Sequence, residues 1–237
     1  MVQEVPRVQD IQLQTTPATP RLRMTYEEFL CWAPESRQVE WVDGEVIEFM
    51  PPIEEHQYNS LLLGTLLQLY ARHHQLGQVI IAPFEVRARS GGSAREPDII
   101  FVAKDHLDRL DGKRLAGAAD LLIELVSDDS VRRDRVDKFR EYREAGVPEY
   151  WIIDPRPGKH RADFYELDPN GQYVPFATED DPRVESRAVP GFWLNPEWLW
   201  QAGTLDPLPL FWEILGIPPE QIAQIQAILG GSPPPGE

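Results

Sequence analysis

The sequence predicts an α/β domain, a central sheet flanked by helices and extended by extra hairpins. Three observations predict it. Short β-type runs at 79–88, 98–102 and 121–126 read as the sheet's centre. A helix-spaced apolar stripe precedes them, and residues 121–153 read as strand, helix, strand. With 237 residues in all, one domain is the default.

Residues 1–23, with Thr15, Thr16, Pro17, Thr19 and Pro20, show no apolar period and read as a flexible N-terminal arm. Thr25 with Glu28 three residues on forms a capping box, and Met24 against Phe29 supplies the hydrophobic staple. A helix should therefore start at Tyr26 and end before Pro34. Two strands, 39–42 and 45–50, flank Asp43-Gly44, a strong two-residue hairpin signal, and Pro51-Pro52 stops the second. Over 54–74, Leu63, Leu66, Leu67 and Tyr70 recur at helical spacing, with Gly77 as the stop.

After the three β-type runs, 131–145 reads as an amphipathic helix closed by Gly146, and 150–153 returns as a strand ending at Asp154-Pro155. Runs at 163–167 and 173–177 around Pro169-Asn170-Gly171 form a hairpin that extends the sheet or caps its edge. The tail alternates Trp and Pro before one short helix at 219–229, followed by Gly230. The organisation expected is an arm over 1–23, a domain over 24–177 and a Pro/Trp-rich C-terminal extension over 178–237. The aromatic content after residue 190 suits a homodimer contact as well as packing back on the domain.

The formal charge of -16 argues against nonspecific polyanion binding, which relies on Lys and Arg. Locally the balance reverses: Arg132, Arg133, Arg135, Lys138, Arg140 and Arg143 crowd one segment, followed by Arg156, Lys159 and Arg161. The single cysteine, Cys31, offers no internal bridge and no structural zinc set, so a reducing compartment is expected. The first twenty residues lack a signal-peptide pattern and no apolar stretch reaches membrane-spanning length, so the expectation is a cytoplasmic protein without membrane contact.

Glu124 stands within Leu121-Leu122-Ile123-Glu124-Leu125-Val126, a run apolar enough to be a buried strand. An ionised carboxylate there is costly unless paired or metal-bound. A solvated sheet face or an arginine partner is the bland alternative. Asp98 follows Pro97 and opens Ile99-Ile100-Phe101-Val102, which places a second carboxylate on another apolar strand. Two carboxylates with a strand carbonyl and waters suit Mg²⁺ or Mn²⁺ better than zinc. Lys138 shares the helical stripe of Val131, Tyr142 and Ala145, and Asp134 could fix its ammonium as an i,i+4 pair. An isolated lysine of this kind could equally snorkel to solvent. His56 leads the stripe of Leu63, Leu67 and Tyr70 and should face the sheet; an inward histidine is more often structural. Glu45, just after the turn, has an ambiguous face. No phosphate-cradling glycine loop, Gly-x-Ser-x-Gly elbow or Cys/His nucleophile arrangement is present.

Taken together, Val39-Glu40-Trp41-Val42-Asp43-Gly44-Glu45, His56, Glu96-Pro97-Asp98-Ile99, Ile123-Glu124-Leu125-Val126-Ser127 and Gly146-Val147-Pro148-Glu149-Tyr150-Trp151 resemble the Uma-type restriction endonuclease family of the PD-(D/E)xK phosphodiesterase superfamily. The match covers about residues 24–175. The resemblance implies a restriction-endonuclease-like mixed sheet, Asp98 as the motif aspartate and Glu124 as the second acidic residue. Val126 occupies the superfamily's lysine position, and Lys138 corresponds to a lysine supplied by the following helix. Ser127-Asp128-Asp129-Ser130 departs from the family's Ser-Pro-Ser-Thr turn. His56 and Glu45 match further polar positions. The activity implied is metal-dependent hydrolysis of DNA phosphodiesters, with Mg²⁺ or Mn²⁺ held by Asp98, Glu124 and the carbonyl of Leu125. A catalytically silent binding scaffold and a small-phosphodiester hydrolase are the alternatives.

Overall fold

The computed structural model describes residues 22–33, 39–49 and 52–229. The expected arm lies outside them apart from Leu22 and Arg23, as do the stops at Pro34, Pro51 and Gly230. Helix α1 (Tyr26–Trp32) begins at the Thr25–Glu28 capping box, both reciprocal bonds being formed. Strands β1 (Val39–Val42) and β2 (Glu45–Glu48) pair as a two-residue hairpin, Val42 opposite Glu45, with Asp43 and Gly44 both at positive φ as the tight turn requires. Helix α2 (Glu54–His73) buries Leu62, Leu63, Leu66, Leu67 and Tyr70.

The 79–88 run is two strands. Strand β3 (Gly77–Ile81) pairs antiparallel with β5 (Ile99–Ala103), while β4 (Glu85–Arg87) pairs parallel with β6 (Arg114–Ala116) in a separate sheet. Pro83 sits between them, and a residue without an N–H ends a ladder. Gly77 is itself a strand residue at φ 158°, where an added Cβ would lie 2.1 Å from the Val102 carbonyl oxygen. Close approach of the two backbones therefore requires glycine there.

Strands β7 (Leu121–Leu125), β8 (Glu149–Asp154), β9 (Arg161–Leu167) and β10 (Tyr173–Thr178) complete a six-stranded mixed sheet ordered β10-β9-β8-β7-β5-β3. Its centre is therefore β7 and β8, with the 77–81 strand at the edge. Only β7 and β8 run parallel, and the helical segment between them is the crossover that parallel pairing demands. That segment is not one regular α-helix. Arg133–Lys138 is π-helical and continues as α3 (Phe139–Glu144).

Side-chain alternation divides the sheet's faces. Ile99, Phe101, Leu121, Ile123, Trp151, Ile153 and Phe164 pack with α2 on one side. Ile100, Val102, Leu122, Tyr150 and Ile152 pack with Tyr142 and Phe139 on the other. The C-terminal segment belongs to the first core. Strands β11 (Val184–Glu185) and β12 (Trp193–Leu194) form a short pair, and Phe192, Trp193, Trp198 and Leu199 are buried with α2. Two helices follow, α4 (Pro207–Ile214) and α5 (Pro219–Leu229), where the sequence reading expected one. Pro207 and Pro209 read as breakers, yet Pro207 is the first residue of α4, where its missing N–H costs nothing, behind an Asp206 cap that accepts the Leu208 N–H. Among the described residues no helix is long and apolar enough to cross a membrane.

Candidate active site

The alternation that sorts the sheet also aims the carboxylates. Glu124 lies in phase with Leu122, so it projects toward the 133–144 helical segment, and Asp98 lies in phase with Ile100 and Val102 toward the same side. Strands β5 and β7 run antiparallel with Ile99 opposite Ile123, and one further step of that register sets Asp98 opposite Glu124. Two like charges placed so repel unless something neutralises them.

Lys138 supplies part of that neutralisation. Its Nζ lies 2.7 Å from Glu124 Oε2 and 3.1 Å from Glu40 Oε1, with Asp134 Oδ1 at 3.6 Å, and its side chain is 2% exposed. Tyr142 donates its hydroxyl to the other Glu124 oxygen at 2.9 Å. Burial alone would lower the Lys138 pKa, but Glu124, Glu40 and Asp134 hold it above the usual lysine range. Burial pushes the Glu124 carboxyl well up despite Lys138, and Asp134, Asp98 and Glu40 push it further. The cluster thus gathers more carboxyl groups than one ammonium can pair.

Asp98 is bound from two sides. Its Oδ2 accepts the Leu125 N–H at 2.7 Å and its Oδ1 lies 3.2 Å from His56 Nε2. Burial would depress the His56 pKa, but the bond to Asp98 raises it. A strand residue's N–H and C=O leave the same edge, so the Leu125 carbonyl faces the side from which Asp98 approaches.

These groups surround a cavity of about 30 Å³, lined by His56, Glu96, Asp98, Glu124, Leu125 and Lys138 among others. That is room for one water or one ion. Among the described residues no three His, Cys, Asp or Glu side chains already converge as a metal cage. The oxygen donors that could hold a cation are the Asp98 and Glu124 carboxylates and the Leu125 carbonyl. Buried Glu96 Oε2 and Asp134 Oδ1, both on residues lining this cavity, have no hydrogen-bond partner.

The family model described as "Uma2: Putative restriction endonuclease" matches residues 26–197. The chain belongs to this family. Among solved structures it is similar to a protein described as a putative nuclease belonging to DUF820 from Anabaena variabilis, with 17% identity and a TM-score of 0.62, covering 76% of this chain and 98% of that one. At that identity the likeness is one of fold, and it bears out the mixed sheet flanked by helices. The type IIG restriction endonuclease BpuSI overlays on 73% of this chain and 18% of its own, at 15% identity and a TM-score of 0.34. No curated protein matches by sequence.

In this Uma2 chain Asp98, Glu124, Lys138 and His56 meet at one cavity, and Glu45 does not line it. Glu45 faces a neighbouring groove of about 540 Å³ and pairs with Arg23. Glu40 and Arg95, not singled out as site residues in the sequence reading, do reach the Uma2 cluster. Glu40 is fully buried, and Arg95 Nη1 holds its Oε2 at 2.8 Å. Burial would raise the Glu40 carboxyl, yet Lys138 and Arg95 hold it at about 2. Burial and then Glu40 drive Glu96 the other way, to about 8. Glu40 alternates with Val39 and Trp41 in a short strand, and the ion pairs that bring it into the cluster are with residues 55 and 98 positions away. The basic run is largely consumed internally: Arg133 pairs with Asp129, Arg135 and Arg161 with Asp163, and Arg156 with Asp154 and Asp128. Arg132 and Arg140 are exposed on the groove beside the cavity.

Proposed function

We propose that this Uma2 chain is a metal-dependent endodeoxyribonuclease that hydrolyses phosphodiester bonds of DNA. The observation that carries the reading is one small cavity lined by Asp98, Glu124, Leu125 and Lys138, with carboxylates from two adjacent strands and an ammonium from the next helix. Asp98, Glu124 and the Leu125 carbonyl would hold Mg²⁺ or Mn²⁺, hard cations that accept one or two carboxylates and keep several waters. The gathered carboxyl groups, with the Glu96 and Asp134 oxygens that lack a hydrogen-bond partner, are what supports a cation here. Once bound, it supplies polarisation of the scissile phosphate and a lowered pKa for the attacking water.

The chain's own groups do the rest. Lys138 keeps its charge while buried and presents it where negative charge builds on the phosphate. His56 orients Asp98 through its Nε2, and Tyr142 fixes the Glu124 carboxylate by its hydroxyl. Arg132 and Arg140, exposed and without an ion pair among the described residues, offer cations on the adjoining groove for flanking phosphates, with Asp43, Asp129 and Asp137 in the same lining limiting that attraction.

A second reading, a silent scaffold that binds without cleaving, has its own observation: both Glu124 oxygens are already engaged by Lys138 and Tyr142. Titration of Mn²⁺ and Mg²⁺ by calorimetry, followed by nicking of supercoiled DNA with the same samples, separates them. The nuclease reading expects binding and nicking in the wild type and neither in Asp98→Ala/Glu124→Ala. Binding without nicking favours the scaffold, and a wild type that binds no cation overturns the metal site.

A further inference from the structure

Lys138 reaches the cavity from a helix, at the end of a long flexible side chain, so its use depends on what holds the ammonium in place. Two carboxylates lie within hydrogen-bond distance, and a third, Asp134, stands further off at 3.6 Å on the lysine's own helical segment. Glu124 is one, but in the nuclease reading that carboxylate must also serve a cation, and its hold on the lysine weakens when it does. Glu40 is the other, and it is engaged differently. Its Oε1 faces Lys138 Nζ at 3.1 Å and accepts the Glu96 N–H at 3.1 Å, while its Oε2 accepts from Arg95 Nη1 at 2.8 Å. Arg95 then forks onto Glu141, with Nε to Oε2 at 2.9 Å and Nη2 to Oε1 at 2.5 Å. Glu141 stands three residues beyond Lys138 on the same helical segment.

The contacts form a closed ring: Lys138 to Glu40, Glu40 to Arg95, Arg95 to Glu141, and Glu141 through one turn of backbone to Lys138. A bidentate fork fixes orientation as well as distance. The Glu40 carboxylate is therefore set relative to the helix that carries the lysine.

We propose that Glu40 is the positioning residue for Lys138, the clamp that keeps its ammonium at the cavity when Glu124 is engaged elsewhere. The proposal rests on the nuclease reading for its consequence, not for its geometry. Arg95 and Glu141 complete the clamp, and the β1–β2 hairpin, which contributes no cation ligand, thereby becomes part of the catalytic apparatus.

The test has two independent readouts. In ¹⁵N-labelled full-length protein, the Lys138 ammonium, assigned by its absence in Lys138→Arg, should give a slowly exchanging ¹H–¹⁵N signal. Glu40→Gln should broaden or abolish it. Glu141→Gln, which loosens the fork while leaving Glu40 intact and is the milder change should Glu40→Gln fold poorly, should weaken it. Under single turnover with Mg²⁺ and supercoiled DNA, Glu40→Gln should lose on the order of 10²-fold in rate at saturating DNA, with the half-saturating concentration little changed, as misplacement of a catalytic group would cause. An absent wild-type signal, or a folded Glu40→Gln or Glu141→Gln that keeps both signal and rate, overturns the clamp. A wild type that does not cleave DNA overturns the nuclease reading instead, and the ammonium comparison still decides the clamp.

Discussion

Asp98 accepts the backbone N–H of Leu125 at 2.7 Å, so the carboxylate at the head of β5 is bonded to the residue immediately after Glu124 on β7. The same contact does two jobs. It satisfies a buried strand N–H beyond the last ladder pair, and it fixes the Asp98 oxygens beside the Leu125 carbonyl. Any change at Asp98 therefore alters the strand as well as the charge, and the two effects need separate variants.

Asp98→Asn keeps an acceptor for the Leu125 N–H and removes the negative charge. It should fold with near wild-type stability and bind Mn²⁺ at least about tenfold more weakly, since the proposed cation site would lose a carboxylate. Asp98→Ala leaves the Leu125 N–H unsatisfied and should cost a further 1–3 kcal/mol, roughly the desolvation penalty of one buried donor. Calorimetry on both variants beside thermal melts checks the pair; equal affinity for Mn²⁺ in Asp98→Asn and wild type would remove Asp98 from the ligand set.

Lys138→Met keeps the length of the side chain and deletes its charge among Glu40, Glu124 and Asp134. Removing one member of a buried ion cluster costs about 3–5 kcal/mol, and under the proposed nuclease activity loss of this charge should slow cleavage on the order of 10²-fold or more. Saturating Mg²⁺ should recover part of the melting temperature, because the cation then offsets some of the exposed carboxylate repulsion. Melts with and without Mg²⁺ decide it, a variant whose loss is the same in both counting against a shared electrostatic site.

Much of this site was legible because period and register do the aiming. A charged residue inside an unbroken apolar strand is conspicuous, so Glu124 could be found from its neighbours, and the helical spacing of Lys138 from Tyr142 set its face. Those inferences need only local geometry. Glu40 and Arg95 gave no such signal, since Glu40 lies in a four-residue strand whose alternation leaves its face open and Arg95 in a stretch that reads as a polar turn, and the two meet only when the hairpin folds against the sheet. The same limit applies to the 79–88 run, where apolar composition continued across Pro83 while the backbone left one sheet for another. In the tail, Pro207 and Pro209 hid α4 because proline at a helix start and proline in a loop look alike without the Asp206 cap.

The Glu40 carboxyl, held at about 2 against its ordinary 4.5, gives a pH dependence of known sign. A depressed folded pKa contributes stability that is fully present above the unfolded value and is lost as pH falls through the folded one. Between pH 4.5 and 2 the wild type should therefore lose about 3 kcal/mol from this group, at 1.36 kcal/mol per unit. Urea unfolding across that window should show a shallower pH slope in Glu40→Gln than in the wild type, and parallel slopes would mean Glu40 is not held ionised by Lys138 and Arg95.

Glu149 anchors the C-terminal segment to the sheet and is placed to test whether that segment matters to the site. Its Oε1 accepts the Trp151 Nε1–H at 2.6 Å, and its Oε2 accepts the Ser186 hydroxyl at 2.9 Å and the N–H groups of Arg187 and Ala188. Glu149→Ala strands the buried Trp151 and Ser186 donors at about 1–3 kcal/mol each, so the melting temperature should fall sharply and the Arg187 and Ala188 amides should exchange faster with solvent. Glu149 stands at the opposite end of the central ladder from Glu124 and on the α2 side of the sheet, paired with Leu121. Cation affinity should then stay within about twofold of wild type wherever the variant is folded, as expected for sites sharing no partner. If Mn²⁺ binding, measured by calorimetry below the variant's melting temperature, falls along with amide protection, the C-terminal segment supports the cavity through the sheet itself.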